Sequence, residues 1–238
     1  MDLATQRLMQ AAAGAGSDPL YVDDVFSTFL YKGNNSTNII SNGIDLAGEG
    51  GLVWAKARDQ NSGHSLYDTE RGSTKVLATN NSTYQNTNNS SQELKTFNND
   101  GFTLGTDFNT NPNSNGKKYV SWTFRKAKGF FDVVTFTQAS GTPTNQRISH
   151  SLGSAPGMIW MKCTSGTRDW FCYHRSLGKD KYFKLNDGGA AANATNGWGT
   201  SEPDATEFGF NAYEFGLSTG STYVAYLFAP PSFNLKYL

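Results

Sequence analysis

Leu52-Val53-Trp54-Ala55-Lys56 and Met158-Ile159-Trp160-Met161-Lys162 are two versions of one apolar stretch, 106 positions apart. The spacing runs on without a gap. Tyr67 matches Tyr173, Gly72 matches Gly178, Lys75 matches Lys181 and Asn80 matches Asn186. Asp24-Val25 and Asp132-Val133 open the two copies, with Gly33 and Gly141 following at equal spacing. Tyr119-Val120-Ser121-Trp122-Thr123-Phe124 and Tyr223-Val224-Ala225-Tyr226-Leu227-Phe228 close them. Self-similarity of this kind predicts one supersecondary unit built twice. A residue present in both copies is expected to hold the fold, and a residue present in one is expected to act locally.

In the quoted stretch Leu52, Trp54 and Lys56 share one face of a strand, and Val53 and Ala55 share the other. Around it lie further strand-like runs of Val, Ile, Phe, Tyr and Thr, bounded by Gly and Asn turns. About seven per copy, with turns every 8–12 residues or so, predict a β-sandwich or jelly roll. The fold class is therefore all-β: two tandem, closely packed β-sandwich units of the jelly-roll or concanavalin-like kind, preceded by a short N-terminal helix. The expected divisions are 1–23, a helix and linker; 24–128, the first unit; and 129–238, the second unit with its tail. Only Lys126-Ala127-Lys128-Gly129 joins the units, so they are expected to pack directly.

The helix is expected over residues 2–13, capped by Asp2 and ended by Gly14 and Gly16. A helix so short is marginal in water. It is expected to dock on a partner protein through Leu3, Leu8 and Met9, a frayed terminus being the alternative.

Bulk properties narrow the function. The 20 basic and 20 acidic residues balance, so the footprint of a nucleic-acid binder is missing. No apolar run approaches the ~20 residues of a membrane span. The start lacks the pattern of a signal peptide. Two cysteines, Cys163 and Cys172, cannot build a metal site alone. Reduced core thiols are expected, with a cross-strand disulfide as the alternative.

Chemistry is sparse. There is no Gly-rich phosphate loop and no nucleophile elbow. His64, His150 and His174 have no metal-ligand spacing. No metal and no cofactor are expected. Asp68 and Glu70, two apart, are the one pattern reminiscent of a glycosidase carboxylate pair. Turn charges beside Arg71 are the competing reading. Trp54, Trp160, Tyr67 and Tyr173 read as core rings, with Lys56 and Lys162 laying their stems over them. Binding candidates are aromatics found in one copy only. Trp198, between Gly197 and Gly199, and Tyr84 lie in the polar loops 187–205 and 79–91 and are candidate carbohydrate-stacking rings. Trp198 folding back over a core edge is the alternative.

The runs Asn42-Gly43-Ile44-Asp45-Leu46-Ala47-Gly48-Glu49-Gly50-Gly51-Leu52-Val53-Trp54 and His150-Ser151-Leu152-Gly153-Ser154-Ala155-Pro156-Gly157-Met158-Ile159 resemble a group of tailed-bacteriophage virion proteins. So do Tyr173-His174-Arg175-Ser176-Leu177-Gly178 and the closing Tyr223-Val224-Ala225-Tyr226-Leu227-Phe228-Ala229. The resemblance covers nearly the whole chain. It implies a non-enzymatic virion structural protein, assembled in the host cytoplasm. The expected place is the tail or its fibres, with the N-terminus bound to other virion proteins. A homo-oligomer, with a trimer as one form, and contact with host-surface glycan accompany that reading. The alternatives are a capsid decoration protein and a surface-polysaccharide depolymerase.

Overall fold

The computed structural model describes residues 20–139, 145–215 and 220–231. The helix expected over 2–13, with Leu3, Leu8 and Met9, lies outside the described residues. The first half contains α1 (Val22–Val25), β1 (Phe26–Lys32), β2 (Asn38–Ser41), β3 (Gly51–Ala57), β4 (His64–Asp68), β5 (Lys75–Val76), β6 (Asn86–Thr87), β7 (Leu94–Asn98), β8 (Gly101–Leu104) and β9 (Lys118–Arg125). The second contains β10 (Phe131–Thr137), β11 (Gln146–Ser149), β12 (Met158–Cys163), β13 (Phe171–His174), β14 (Lys181–Lys184), β15 (Ala192–Asn193), β16 (Glu207–Phe210) and β17 (Thr222–Phe228). The fold is all-β, with these strands paired antiparallel.

The strands build four layers. Outermost in the first half is the sheet β2-β8-β7, and beneath it lies β1-β9-β3-β4. The second half answers with β10-β17-β12-β13-β14-β15 and an outer pair, β11-β16. Alternation along each inner strand sends side chains to opposite faces. On β3, Val53 and Ala57 enter a core shared with Ile40, Phe102 and Leu104 of the outer sheet. On β12, Ile159, Met161 and Cys163 do the same with Ile148, Phe208 and Phe210. The remaining faces meet each other. Leu52, Leu66 and Leu77 join Phe131, Val133, Trp160, Trp170, Cys172, Val224 and Tyr226 in a third core that draws on both halves. This two-sided burial explains why β3 and β12 read as continuous apolar runs rather than clean alternation.

The order β1-β9-β3-β4 in one inner sheet is matched by β10-β17-β12-β13 in the other. The spacing of 106 aligns β3 with β12, and Trp54 and Trp160 face Trp122 and Tyr226 across their central neighbours. The opening block behaves differently. Asp24 lies in α1, whereas Asp132 lies within β10. Register sets Phe26 opposite Phe124 and Phe131 opposite Phe228. The Asp-Val match is thus displaced by three positions from the structural alignment. Strands β6, β7 and β15, short or polar, were not foreseen.

Candidate functional site at the seam between the inner sheets

Asp68 ends β4 fully buried at the seam. Its Oδ2 accepts the Tyr226 hydroxyl at 2.6 Å and Arg71 Nε at 2.6 Å, and its Oδ1 accepts the Arg71 backbone N–H at 2.8 Å. Arg71 also donates to Gln85 Oε1 at 3.1 Å and to the Leu66 carbonyl at 3.3 Å. Burial alone would lower the Arg71 pKa, but Asp68 and Tyr226 outweigh it and the net shift is upward. Burial drives the Tyr226 hydroxyl well above its ordinary value. Asp68 is therefore the counter-ion of a buried guanidinium.

Glu70 turns the other way and pairs with Lys126 at 2.7 Å. Asp68 and Glu70 do not form a working pair, because the strand ends at Asp68 and the chain turns before Glu70. Lys126 instead links Glu70 to Asp132 of the other half, at 3.4 Å. A groove of about 310 Å³ lies there, lined also by Ser149, His150 and Ser151. Asp132 accepts the backbone N–H groups of Ser151 at 2.6 Å and Val133 at 2.9 Å. His150 accepts Leu152 N–H on Nδ1 at 3.3 Å, with Nε2 3.2 Å from the Asp204 carbonyl. Burial lowers its pKa, which favours the neutral ring. These bonds tie the lining of the groove to the neighbouring backbone.

The polar loop 79–91, expected to be free in solvent, lies across the second half. Trp170 Nε1 donates to the Ala78 carbonyl at 3.0 Å, Arg168 N–H to Ser82 O at 3.0 Å, and Gln85 N–H to Thr164 O at 3.2 Å. Fully buried Lys162 adds its Nζ to Ser82 O, Cys163 O and Arg168 O at 3.2, 3.1 and 2.8 Å. Burial lowers its pKa to about 8. Neutral polar composition made the loop look solvated. Its Ser82 carbonyl, and that of Ala78 just before it, in fact face donors of the second half. Tyr84 on this loop remains half exposed.

Trp198 is the clearest correction. It is 0% exposed, packs edge-on to Tyr173 and Phe215 with centroids 5.7 and 5.3 Å away, and donates Nε1 to the Lys181 carbonyl at 3.0 Å. Its flanking glycines serve close packing rather than openness. A Cβ on Gly197 would stand 2.7 Å from Ala194 Cβ, and Gly199 (φ +100°) approaches Gly209 backbone to backbone. A carbohydrate cannot reach this ring. The first part of the 187–205 loop stays exposed, and there Asp187, Gly189 and Ala190 border a 190 Å³ hollow with Tyr182 and Phe183.

The cysteines are free and buried. Cys163 points into one core and Cys172 into another on the opposite face of the same sheet, so a disulfide between them is ruled out. Burial pushes the Cys172 thiol up to about 12, the state of an inert core group. Sequence reasoning passed over Glu93. It is fully buried at φ 48° and accepts Tyr67 Oη and Asn88 Nδ2, both at 2.6 Å, together with the Thr110 and Asn111 backbone N–H groups. Tyr173, the match of Tyr67, likewise donates to a glutamate, Glu202, at 3.0 Å. Only that shared tyrosine could have signalled it.

Among the described residues, no group of three or more His, Cys, Asp or Glu side chains is placed to hold a metal ion, and no helix is long and apolar enough to cross a membrane. No curated protein and no solved structure matches the chain. One family model does, and it spans both halves without interruption. Residues 22–232 match it, and the chain belongs to the family described as a domain of unknown function, DUF7483.

Proposed function

We propose that this chain is a structural protein of a tailed-phage virion, placed in the tail or its fibres and attached through its N-terminal segment. The observation that carries the reading is the third core. Two sheet pairs, each with its own core, are fused face to face by Leu52, Leu66, Trp160 and Tyr226 and locked by the Asp68–Arg71–Tyr226 cluster. Ionisable groups at the seam are spent on rigidity, which suits a load-transmitting part. The resemblance of residues 42–54 and 150–159 to virion proteins supports the same reading. Tyr84, the one exposed ring of the two candidates, is left as the glycan contact.

Immunogold electron microscopy of intact virions with an antibody to this chain tests the proposal. Label along the tail is the expected result. Label on the shell would replace it with capsid decoration, and unlabelled virions would overturn it. Deletion of residues 1–16 is expected to abolish incorporation while the protein still folds.

A further inference from the structure

The seam has the contact pattern of a two-fold interface. Trp54 meets Trp160 with centroids 5.7 Å apart, and Phe124 meets Phe228 at 5.6 Å. Each pair holds the same place in the two copies of the sequence pattern. Self-contact of equivalent positions is the mark of an isologous interface.

The two sides of this interface are not equally filled. In the second half, Val224, Lys162 and Trp170 lie in one region, each 0% exposed, beneath residues 78–85 of the first half. The matching residues in the first half are Val120, Lys56 and His64, and Leu30 extends the row beside Val120, paired in register across β1, β9, β3 and β4. Leu30 is 58% exposed, and Val120, Lys56 and His64 are half-buried. Lys56 donates to the carbonyl of the next residue, Ala57, at 3.0 Å, as Lys162 does to Cys163. The bond that Lys162 makes to the clasping loop has no counterpart at Lys56 among the described residues. Of residues 184–191, which match 78–85, Leu185 packs against the third core and 187–191 are exposed.

We propose that the open row is a self-association surface that receives residues 187–191 of a second copy of this chain. Three observations select that occupant. The row is continuous with the existing interface through Trp54 and Trp122. In the second half the equivalents of Val120, Lys56 and His64 are already covered by the equivalent loop, while Thr135, which holds the place of Leu30, is exposed. Lys56 shares its face with Lys32 and Lys118, a basic rim facing outward, and the incoming loop carries Asp187. Made reciprocally, this contact gives a two-fold dimer; made once per pair of copies it is heterologous and closes into a ring or extends into a filament. The proposal stands whether or not the protein is found in a virion.

Sedimentation velocity of the full chain over a range of concentrations tests it. The wild type is expected to associate. Leu30→Glu should weaken association about thirtyfold or more, as removal of an interface anchor does, with an unchanged melting curve because Leu30 is exposed in the single chain. Asp187→Lys should weaken it too, and combining it with Lys56→Asp should restore part of the loss. A wild type that stays monomeric overturns the proposal, as does association indifferent to Leu30→Glu or to Asp187→Lys. A monomer whose retention on a sulfated polysaccharide is lost in Leu30→Glu would make the row a glycan site instead.

Discussion

The Tyr226 hydroxyl donates to Asp68 Oδ2 at 2.6 Å, joining residues from opposite halves of the chain inside a seam that excludes water. Arg71 closes the triangle, 3.2 Å from the same hydroxyl. The cluster exists only when both inner sheets are folded and docked. Unfolding of the two halves is therefore expected to be one cooperative event.

Substitution at this triangle should be graded. Tyr226→Phe removes the hydrogen bond given to Asp68 and the one accepted from Arg71 but leaves the ion pair in place, and should cost at least about 1.5–3 kcal/mol. Asp68→Ala leaves Arg71 buried without its counter-ion and should cost about 3–5 kcal/mol. At roughly 2–4 °C per kcal/mol for a chain of this size, melting temperatures separate the two. A neutral Asp68→Ala would contradict the structural role given to Asp68.

Trp198→Ala should destabilise by about 3–5 kcal/mol, because it empties a fully buried site and strands the Lys181 carbonyl. Tyr84→Ala, on an exposed ring, should fall within about 0.5 kcal/mol. Urea unfolding of both variants checks the contrast, and equal effects would refute the burial assignment.

Lys162 makes stability depend on pH. Its folded pKa is lowered to about 8 by burial, beneath its ordinary value, so between these values the unfolded chain binds the proton and the folded one does not. Stability should therefore rise with pH above about 8, by at most about 1.4 kcal/mol per pH unit. The window closes near pH 10, where buried tyrosines such as Tyr226 hold protons that the unfolded chain releases. Lys162→Met should flatten the rise between pH 8 and 9.5 in chemical unfolding, whatever it does to stability itself. An unchanged slope would remove Lys162 as its source.

Glu93→Gln should be costly for a nearly isosteric change. The carboxylate accepts from Tyr67, Asn88, Thr110 and Asn111, and an amide would aim its own N–H groups at these donors. A loss of about 2–3 kcal/mol is expected in unfolding experiments. The conformation at φ 48° is held by those same bonds, so loosening of the 88–93 segment should accompany the loss and show as faster amide exchange there.

The amino-acid sequence by itself determined the all-β class, most inner strands and the equivalence of Trp54 with Trp160. Side-chain alternation, turn glycines and repeat spacing are local properties, readable residue by residue. It also marked Tyr67 and Tyr173 as scaffold, and both lie in cores. Tertiary structure alone decided the fate of the polar residues. Asp68 reads as a turn charge until Tyr226 stands over it. The loop 79–91 reads as solvated until Lys162 and Arg168 meet its Ser82 carbonyl. Trp198 reads as open between two glycines until Gly209 approaches one of them. In each case the partner lies on a separate element, far along the chain for Asp68 and the 79–91 loop. Whether a polar atom faces water or a donor depends on that partner, because the solvation that would decide it is removed only when the sheets close.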